Sequence, residues 1–247
     1  MSASKLTKVY GSGETAVAAL RDVDVEFARA EFAAIMGPSG SGKSTLMHCL
    51  AGLDRPTAGQ VYVDGRLVSE MTEKQLTDLR RHTVGFVFQS FNLVPTLTAK
   101  ENILLPSVIA AERPDREWYE SIVAALGLEG RLGHLPKELS GGQQQRVACA
   151  RALMARPAVV FADEPTGNLD SAAARDLLKF LRGSVGRLGQ SIIMVTHDPV
   201  AAATAHRVVF LADGRVKGEL RRPTTDGVMR VLRHLSQQNP QSRGRTW

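Results

Sequence analysis

The segment that most restricts this chain is Phe32-Ala33-Ala34-Ile35-Met36 running straight into Gly37-Pro38-Ser39-Gly40-Ser41-Gly42-Lys43-Ser44-Thr45, after which LMHCLAGL continues with helical spacing. An apolar strand, a glycine-rich loop and a helix in immediate succession match G-x-x-x-x-G-K-[ST] in the setting that string requires. The residue types suit phosphate. Phosphate oxygens must come close to backbone N–H groups, and a side chain at Gly40 or Gly42 would block that approach. The helix starting near Lys43 aims the positive end of its dipole at the same point. Lys43 adds a charge for β- and γ-phosphates, and the Ser44 hydroxyl can ligate Mg²⁺ beside them. Ordinary residue frequencies produce the string by accident in on the order of one chain in a hundred.

A phosphate loop of this kind needs a metal-side carboxylate at the end of a neighbouring buried strand. Ala158-Val159-Val160-Phe161-Ala162-Asp163-Glu164 supplies one. Five apolar residues followed by two acids put charge at a core strand end, which is costly without a partner. Asp163 is expected to hold Mg²⁺ through water. Glu164 points away from Asp163 and is the candidate general base for an attacking water. Taken alone, the pair also reads as a solvated strand end.

With 247 residues, 43% hydrophobic and 23% charged, the chain can bury a full core and is neither a disordered chain nor a coiled-coil rod. Its longest apolar runs, such as Ala158–Ala162 and Val208–Ala212, fall far short of the roughly 20 residues that span a bilayer. The start, MSASKLTKVY, has no apolar signal core, so a cytosolic location is the expectation. Cys49 and Cys149 make neither a disulfide framework nor a zinc site and read as small buried residues. From Arg221 onward six arginines face one acid, Asp226, so this end carries +5 of the net charge of +6. A nearly neutral body argues against specific nucleic-acid binding.

Patterning predicts strands over Leu6–Tyr10, Ala16–Phe27 and Phe32–Met36, and a hairpin of Gln60–Val63 with Arg66–Val68 around Asp64-Gly65. A helix follows over Thr72–Arg81 and a strand over Val84–Phe88. The character changes after Gln89. From Thr98 to Arg156 the pattern is helical, opened by the capping box Thr98/Glu101 and including Ser121–Leu126. Strands return at Ala158–Ala162, Ser191–Thr196 and Arg207–Leu211, with a helix over Ser171–Gly183 between them and another over Gly227–Leu235. Gln237–Trp247 reads as a mobile tail.

Leu139-Ser140-Gly141-Gly142-Gln143, followed by Gln144-Gln145-Arg146, resembles the LSGGQ signature of ATP-binding cassette (ABC) ATPases. Ser140 suits a helix N-cap, and Gly141 and Gly142 expose N–H groups at the helix start, a second anion-binding surface. The other family elements follow in order. Tyr10 resembles the aromatic that stacks on adenine; a core tyrosine is the alternative. Gln89 resembles the glutamine that contacts Mg²⁺ at the joint between core and insert. Gly167-Asn168-Leu169-Asp170 resembles the loop that crosses the dimer interface, and His197 the switch histidine that meets the γ-phosphate and helps orient water. The resemblance spans roughly residues 5–220.

The resemblance implies an α/β fold: a P-loop NTPase core, with a mixed sheet flanked by helices and an N-terminal antiparallel β subdomain, plus an inserted α-helical subdomain. It implies one domain over residues 1–235, with the core at 1–89 and 157–220, the insert at about 90–156, and a flexible tail at 236–247. It implies an ATPase using Mg²⁺, working as a head-to-tail dimer with each ATP between Gly37–Thr45 of one copy and Ser140–Gln143 of the other. The strings Phe86–Pro106, GLDRPTAG and ADEPTGNLDS look like cassettes of lipoprotein-release, macrolide-export and cell-division systems. Those serve a separate membrane permease from the inner face of the membrane, in export or mechanotransmission. The expected docking surface is Gln89–Leu97, where Phe91, Leu93, Val94 and Leu97 offer apolar contact; packing under the insert is the alternative. Ala30 and His206 depart from the family pattern, which has a turn glycine and an aspartate there. The rival is a soluble cassette powering a process such as iron–sulfur cluster assembly. Cargo is not written in the residues.

Overall fold

The computed structural model describes residues 1–238. They pack as two compact units: Met1–Phe27 with Ala33–Glu70 and the chain from Val195 onward, and Ala28–Phe32 with Met71–Met194.

In the first unit, β1 (Ser2–Tyr10) pairs antiparallel with β2 (Val17–Glu26) on one side and β4 (Ala58–Val63) on the other, and β5 (Arg66–Leu67) extends the sheet beside β4. Asp64 and Gly65 both take positive φ, 49° and 78°, the twist-matched turn that the Asp-Gly pair favours. The buried residues stand three apart on each strand, Ala3 and Leu6 on β1 and Leu20 and Val23 on β2, where irregularities interrupt the β1–β2 register. This is the expected N-terminal antiparallel subdomain. A second layer holds β3 (Phe32–Met36), parallel to β9 (Arg207–Ala212), with β10 (Arg215–Arg221) antiparallel on the outside of β9. Every residue of β3 and β9 is buried, as a strand covered on both faces must be. Helices α1 (Lys43–Leu50), α7 (Pro199–Ala203) and α8 (Thr225–Gln238) complete the unit.

The second unit holds α2 (Glu73–His82), β6 (Val84–Val87), α3 (Ala99–Ala110), α4 (Arg116–Leu126), α5 (Gly141–Met154), β7 (Val159–Asp163), α6 (Ser171–Leu188) and β8 (Ser191–Val195). Its strands lie in the order β8-β7-β6, with β6 and β7 parallel. Helices start where their caps are written. Thr72 with Gln75, Thr98 with Glu101 and Ser140 with Gln143 form reciprocal capping boxes, and Gly127 closes α4 in a left-handed turn.

Several boundaries differ from the sequence expectation. Helix α6 continues past Gly183 to Leu188. The extension holds two glycines, Gly183 and Gly186, each costing about 1 kcal/mol inside a helix; burial of Val185 in line with Leu177, Leu178 and Leu181, worth about 1.5–3 kcal/mol, offsets them. Strand β10 was invisible in the sequence because its residues are mostly polar and exposed; pairing with β9 makes it a strand. The short helix α7 rests on an Asp198 cap. Helix α8 runs through Gln238, so the first residues of the expected tail are helical, and the remainder lies outside the described residues. Cys49 and Cys149 are buried, as expected, and burial pushes both thiols up to about 12. Among the described residues no helix is long and apolar enough to cross a membrane.

Candidate functional site

The first unit carries the phosphate loop. Buried β3 ends at Met36, and the loop turns into α1 with Gly42 at the N-cap and no side chain capping the helix. Gly37 and Gly42 are required by the protein's own backbone: a Cβ would stand 1.9 Å from the Leu211 carbonyl oxygen at the first and 2.4 Å from the Ala19 carbonyl oxygen at the second. At Gly40 a Cβ would meet nothing within 4 Å. Lys43 Nζ donates to the loop carbonyls of Gly37 at 3.0 Å and Pro38 at 2.8 Å. The Ser41 hydroxyl is buried without a hydrogen-bond partner among the described residues, Ser44 is exposed and Thr45 half-buried. An open cradle of amides, an ammonium at its mouth and a hydroxyl in the first turn fit a phosphate chain with its magnesium.

Two more expected residues belong to this unit. Thr196 N–H donates to the Ile35 carbonyl at 3.3 Å, so the chain after β8 leaves beside the end of β3, and exposed His197 follows at that edge. Tyr10 closes β1 and is 43% exposed. Its hydroxyl donates to Asp54 at 2.6 Å, and Lys8 Nζ lies 4.8 Å from the ring centroid. Asp54 and Lys8 were not anticipated from the sequence, because neither belongs to a string with phosphate chemistry.

The second unit gathers the remaining residues. Strands β6 and β7 are in parallel register from Val84↔Val159 to Val87↔Ala162. Both strands run toward the carboxyl edge of the sheet, where α/β folds bind ligands: Gln89 comes two residues after β6, and Glu164 directly follows β7. Asp163 ends β7 half-buried, and Glu164 takes a left-handed φ of 45°, a costly conformation for a residue with a side chain. Asn168 Nδ2 donates to the Gln89 carbonyl at 2.9 Å, and a Cβ on Gly167 would stand 2.8 Å from Gln89 Nε2. The expected glutamine and interface-loop residues are therefore neighbours.

Helix α5 begins at the signature. Ser140 Oγ accepts from the Gln143 N–H at 3.3 Å, and Gln143 Oε1 accepts from the Ser140 N–H at 2.9 Å. Asp170 caps α6 by accepting from Ala172 and Ala173, both at 2.9 Å; these two bonds hold its carboxyl below the usual carboxylate range. Ser140, Gly141, Gly142, Asn168 and Asp170 line one cavity of about 280 Å³.

The segment expected to meet a membrane partner is less open than its composition suggests. Phe91, Leu93, Val94 and Leu97 are each half-buried. Buried Asn102 ties their backbone down, accepting from Val94 N–H at 2.8 Å and donating to the carbonyls of Val94 and Leu97 at 3.1 and 2.9 Å. The freely exposed apolar side chains nearby are Val108 and Ile109 on α3. A groove of about 540 Å³ runs past Phe88, Asn92, Leu105, Ile109 and Arg151.

The ABC transporter family model matches residues 20–167. The chain is 49% identical over 215 residues to the macrolide export ATP-binding/permease protein MacB of Marinobacter nauticus, covering 85% of this chain and 33% of that protein. It thus spans about a third of the length of that relative. An uncharacterised ABC transporter ATP-binding protein of Methanocaldococcus jannaschii is 45% identical over 216 residues, 87% of this chain and 96% of that one. Among solved structures, the dimeric post-hydrolysis state of the ATP-binding cassette MJ0796 bound to ADP and Pi superposes with a TM-score of 0.81 at 39% identity, covering 90% of this chain and 99% of that chain. Likeness over nearly the whole length of a cassette goes beyond a shared phosphate loop: the chain belongs to the ABC transporter family.

Proposed function

We propose that two copies of this chain close head to tail around two Mg-ATP and so drive a separate integral membrane permease from the cytoplasmic face, in export or mechanotransmission. Residues 1–89 and 157–220 form the nucleotide core, and about 90–156 the insert that presents the signature. Tyr10 stacks on the base, and Gly37, Pro38, Ser39, Gly40, Ser41, Gly42, Lys43, Ser44 and Thr45 hold the phosphates. Ser44, Gln89 and Asp163 hold the magnesium, which neutralises phosphate charge when bound. Glu164 takes the proton of the attacking water, while Lys43 and His197 stabilise charge on the γ-phosphate. Ser140, Gly141, Gly142, Gln143 and Asp170 meet the triphosphate bound by the other copy, so ATP favours the closed pair and its products release it.

The observation that carries this reading is that Gln89 packs against the turn that follows Glu164: Gly167 N–H donates to the Glu164 carbonyl at 3.0 Å, and a Cβ on Gly167 would stand 2.8 Å from Gln89 Nε2. The dimeric MJ0796 structures support the pairing, and the macrolide export relatives support a permease over the iron–sulfur alternative. The permease is proposed to dock along Gln89–Leu97, where the groove past Phe88 and Asn92 offers apolar walls and exposed Ile109. Glu164→Gln is the test. Turnover of Mg-ATP is expected to fall by about 10²- to 10⁴-fold while ATP binding persists and dimers accumulate on size-exclusion chromatography. Normal turnover in this variant removes Glu164 from the role of base.

A further inference from the structure

Tyr10 is held far more firmly than an exposed ring at a strand end needs to be. Its hydroxyl donates to Asp54 Oδ2 at 2.6 Å, and Lys8 Nζ donates to Asp54 Oδ1 at 2.5 Å and to the Arg55 carbonyl at 2.7 Å. Both carboxylate oxygens are thus engaged. Lys8 and Tyr10 are two apart on β1 and share a face of the strand, which puts the Lys8 ammonium over the ring, and Tyr10 remains exposed. Burial raises the Asp54 carboxyl, but the bonds from Lys8 and Tyr10 outweigh it and keep the group below the usual carboxylate range. Burial and the bond to Asp54 push the Tyr10 phenol up, against a smaller opposing pull from the Thr45 hydroxyl.

Asp54 is itself anchored to the helix that leaves the phosphate loop. The turn after α1 folds back on it: Ala51 N–H donates to Met47, and Leu53 and Asp54 N–H both donate to His48, at 2.9, 2.9 and 3.2 Å. Downstream, Thr57 N–H donates to Thr7 at 2.8 Å and Thr57 Oγ1 accepts from Val9 N–H at 3.0 Å. Helix α1, eight residues or about 12 Å long, therefore joins the phosphate cradle at its start to the turn that carries Asp54 at its end, and the Tyr10 hydroxyl reaches both Asp54 and Thr45 of its first turn.

We infer that Asp54, backed by Lys8, is a positioning residue for nucleotide binding: it fixes the Tyr10 ring at a set distance from the phosphate loop through α1, so that base and phosphates dock as one unit. The inference rests on the proposed stacking of the base on Tyr10. Because the hydroxyl is committed to Asp54, the ring offers a flat face and no donor to the edge of the base. Its contribution is then the same for adenine and guanine nucleotides.

The test is calorimetric titration of the full chain with ATP, GTP and inorganic tripolyphosphate, which has no base. Tyr10→Ala is expected to weaken ATP and GTP binding alike by about tenfold, the effect of losing one base stack. Asp54→Ala and Tyr10→Phe, which removes only the hydroxyl, are each expected to weaken both nucleotides by about three- to tenfold and to leave tripolyphosphate unchanged. In a Tyr10→Ala background Asp54→Ala should add nothing. The inference is overturned if Asp54→Ala weakens tripolyphosphate as much as ATP, or keeps its full effect without the ring. If Tyr10→Ala weakens ATP while Asp54→Ala and Tyr10→Phe do not, the stacking stands and the clamp falls. If Tyr10→Ala leaves ATP affinity intact, both fall together.

Discussion

The two glycine-rich helix starts, at α1 and at α5, look alike in sequence and are held in different ways. At α1 no side chain caps the helix, Gly42 has a φ of 98°, and a Cβ there would stand 2.4 Å from the Ala19 carbonyl oxygen. At α5 Ser140 caps the helix with Gln143, and a Cβ on Gly141 would come no nearer than 3.5 Å to the Asn168 carbonyl oxygen. Gly142 is tighter, 3.0 Å from Ala173 Cβ. The fold demands glycine at Gly42 and does not demand it at Gly141. A glycine demanded by its own backbone says little about ligands, because it would be there without one. A glycine the fold does not need marks a surface that something else must approach.

Three substitutions break or sharpen that contrast. Gly42→Ala has the largest expected effect: strain in a left-handed position plus overlap with a backbone oxygen should cost on the order of 3 kcal/mol and abolish ATP binding, read by urea unfolding and nucleotide titration. Retention of both would erase the difference between the two helix starts. Gly141→Ala should leave urea stability within about 1 kcal/mol of the parent, since alanine suits a helix at least as well as glycine. Its ATP-dependent pairing and turnover should nevertheless drop at least about tenfold. Undiminished turnover would show that nothing approaches Gly141 from outside. The smallest effect is expected at Ala30, which has a φ of 51° and stands where the family pattern has a turn glycine. Here the backbone demands glycine and the sequence lacks it, so Ala30→Gly should add about 0.5–1 kcal/mol of stability without altering turnover. A loss of stability would mean the left-handed turn is relieved elsewhere.

The parts of the site that were legible in advance are those whose physics is local. The caps of Thr98 and Ser140 depend on partners three residues away, and the phosphate loop is contiguous with the strand and helix that shape it. The parts that were missed depend on distant partners or on polar sequence. Strand β10 has no apolar run and exists through β9. The last turn of α6, past Gly183, depends on Val185 finding a buried place. The apolar character of Val94 and Leu97 was legible, but not the buried Asn102 that fixes their backbone from within.

By itself, the amino-acid order determined the chemistry on offer: an amide cradle with Lys43 and Ser44, an acid pair closing a buried strand, and a second glycine-bearing helix start. Each is a property of neighbouring residues, and neighbouring residues keep their spacing in any fold that contains them. Only the tertiary structure decided which groups meet. Ala19 confines Gly42, Asn168 and Gly167 close on Gln89, and Asp54 reaches Tyr10 across 44 residues of chain. Such meetings depend on strand register and on the packing of distant elements, which no short stretch of sequence contains.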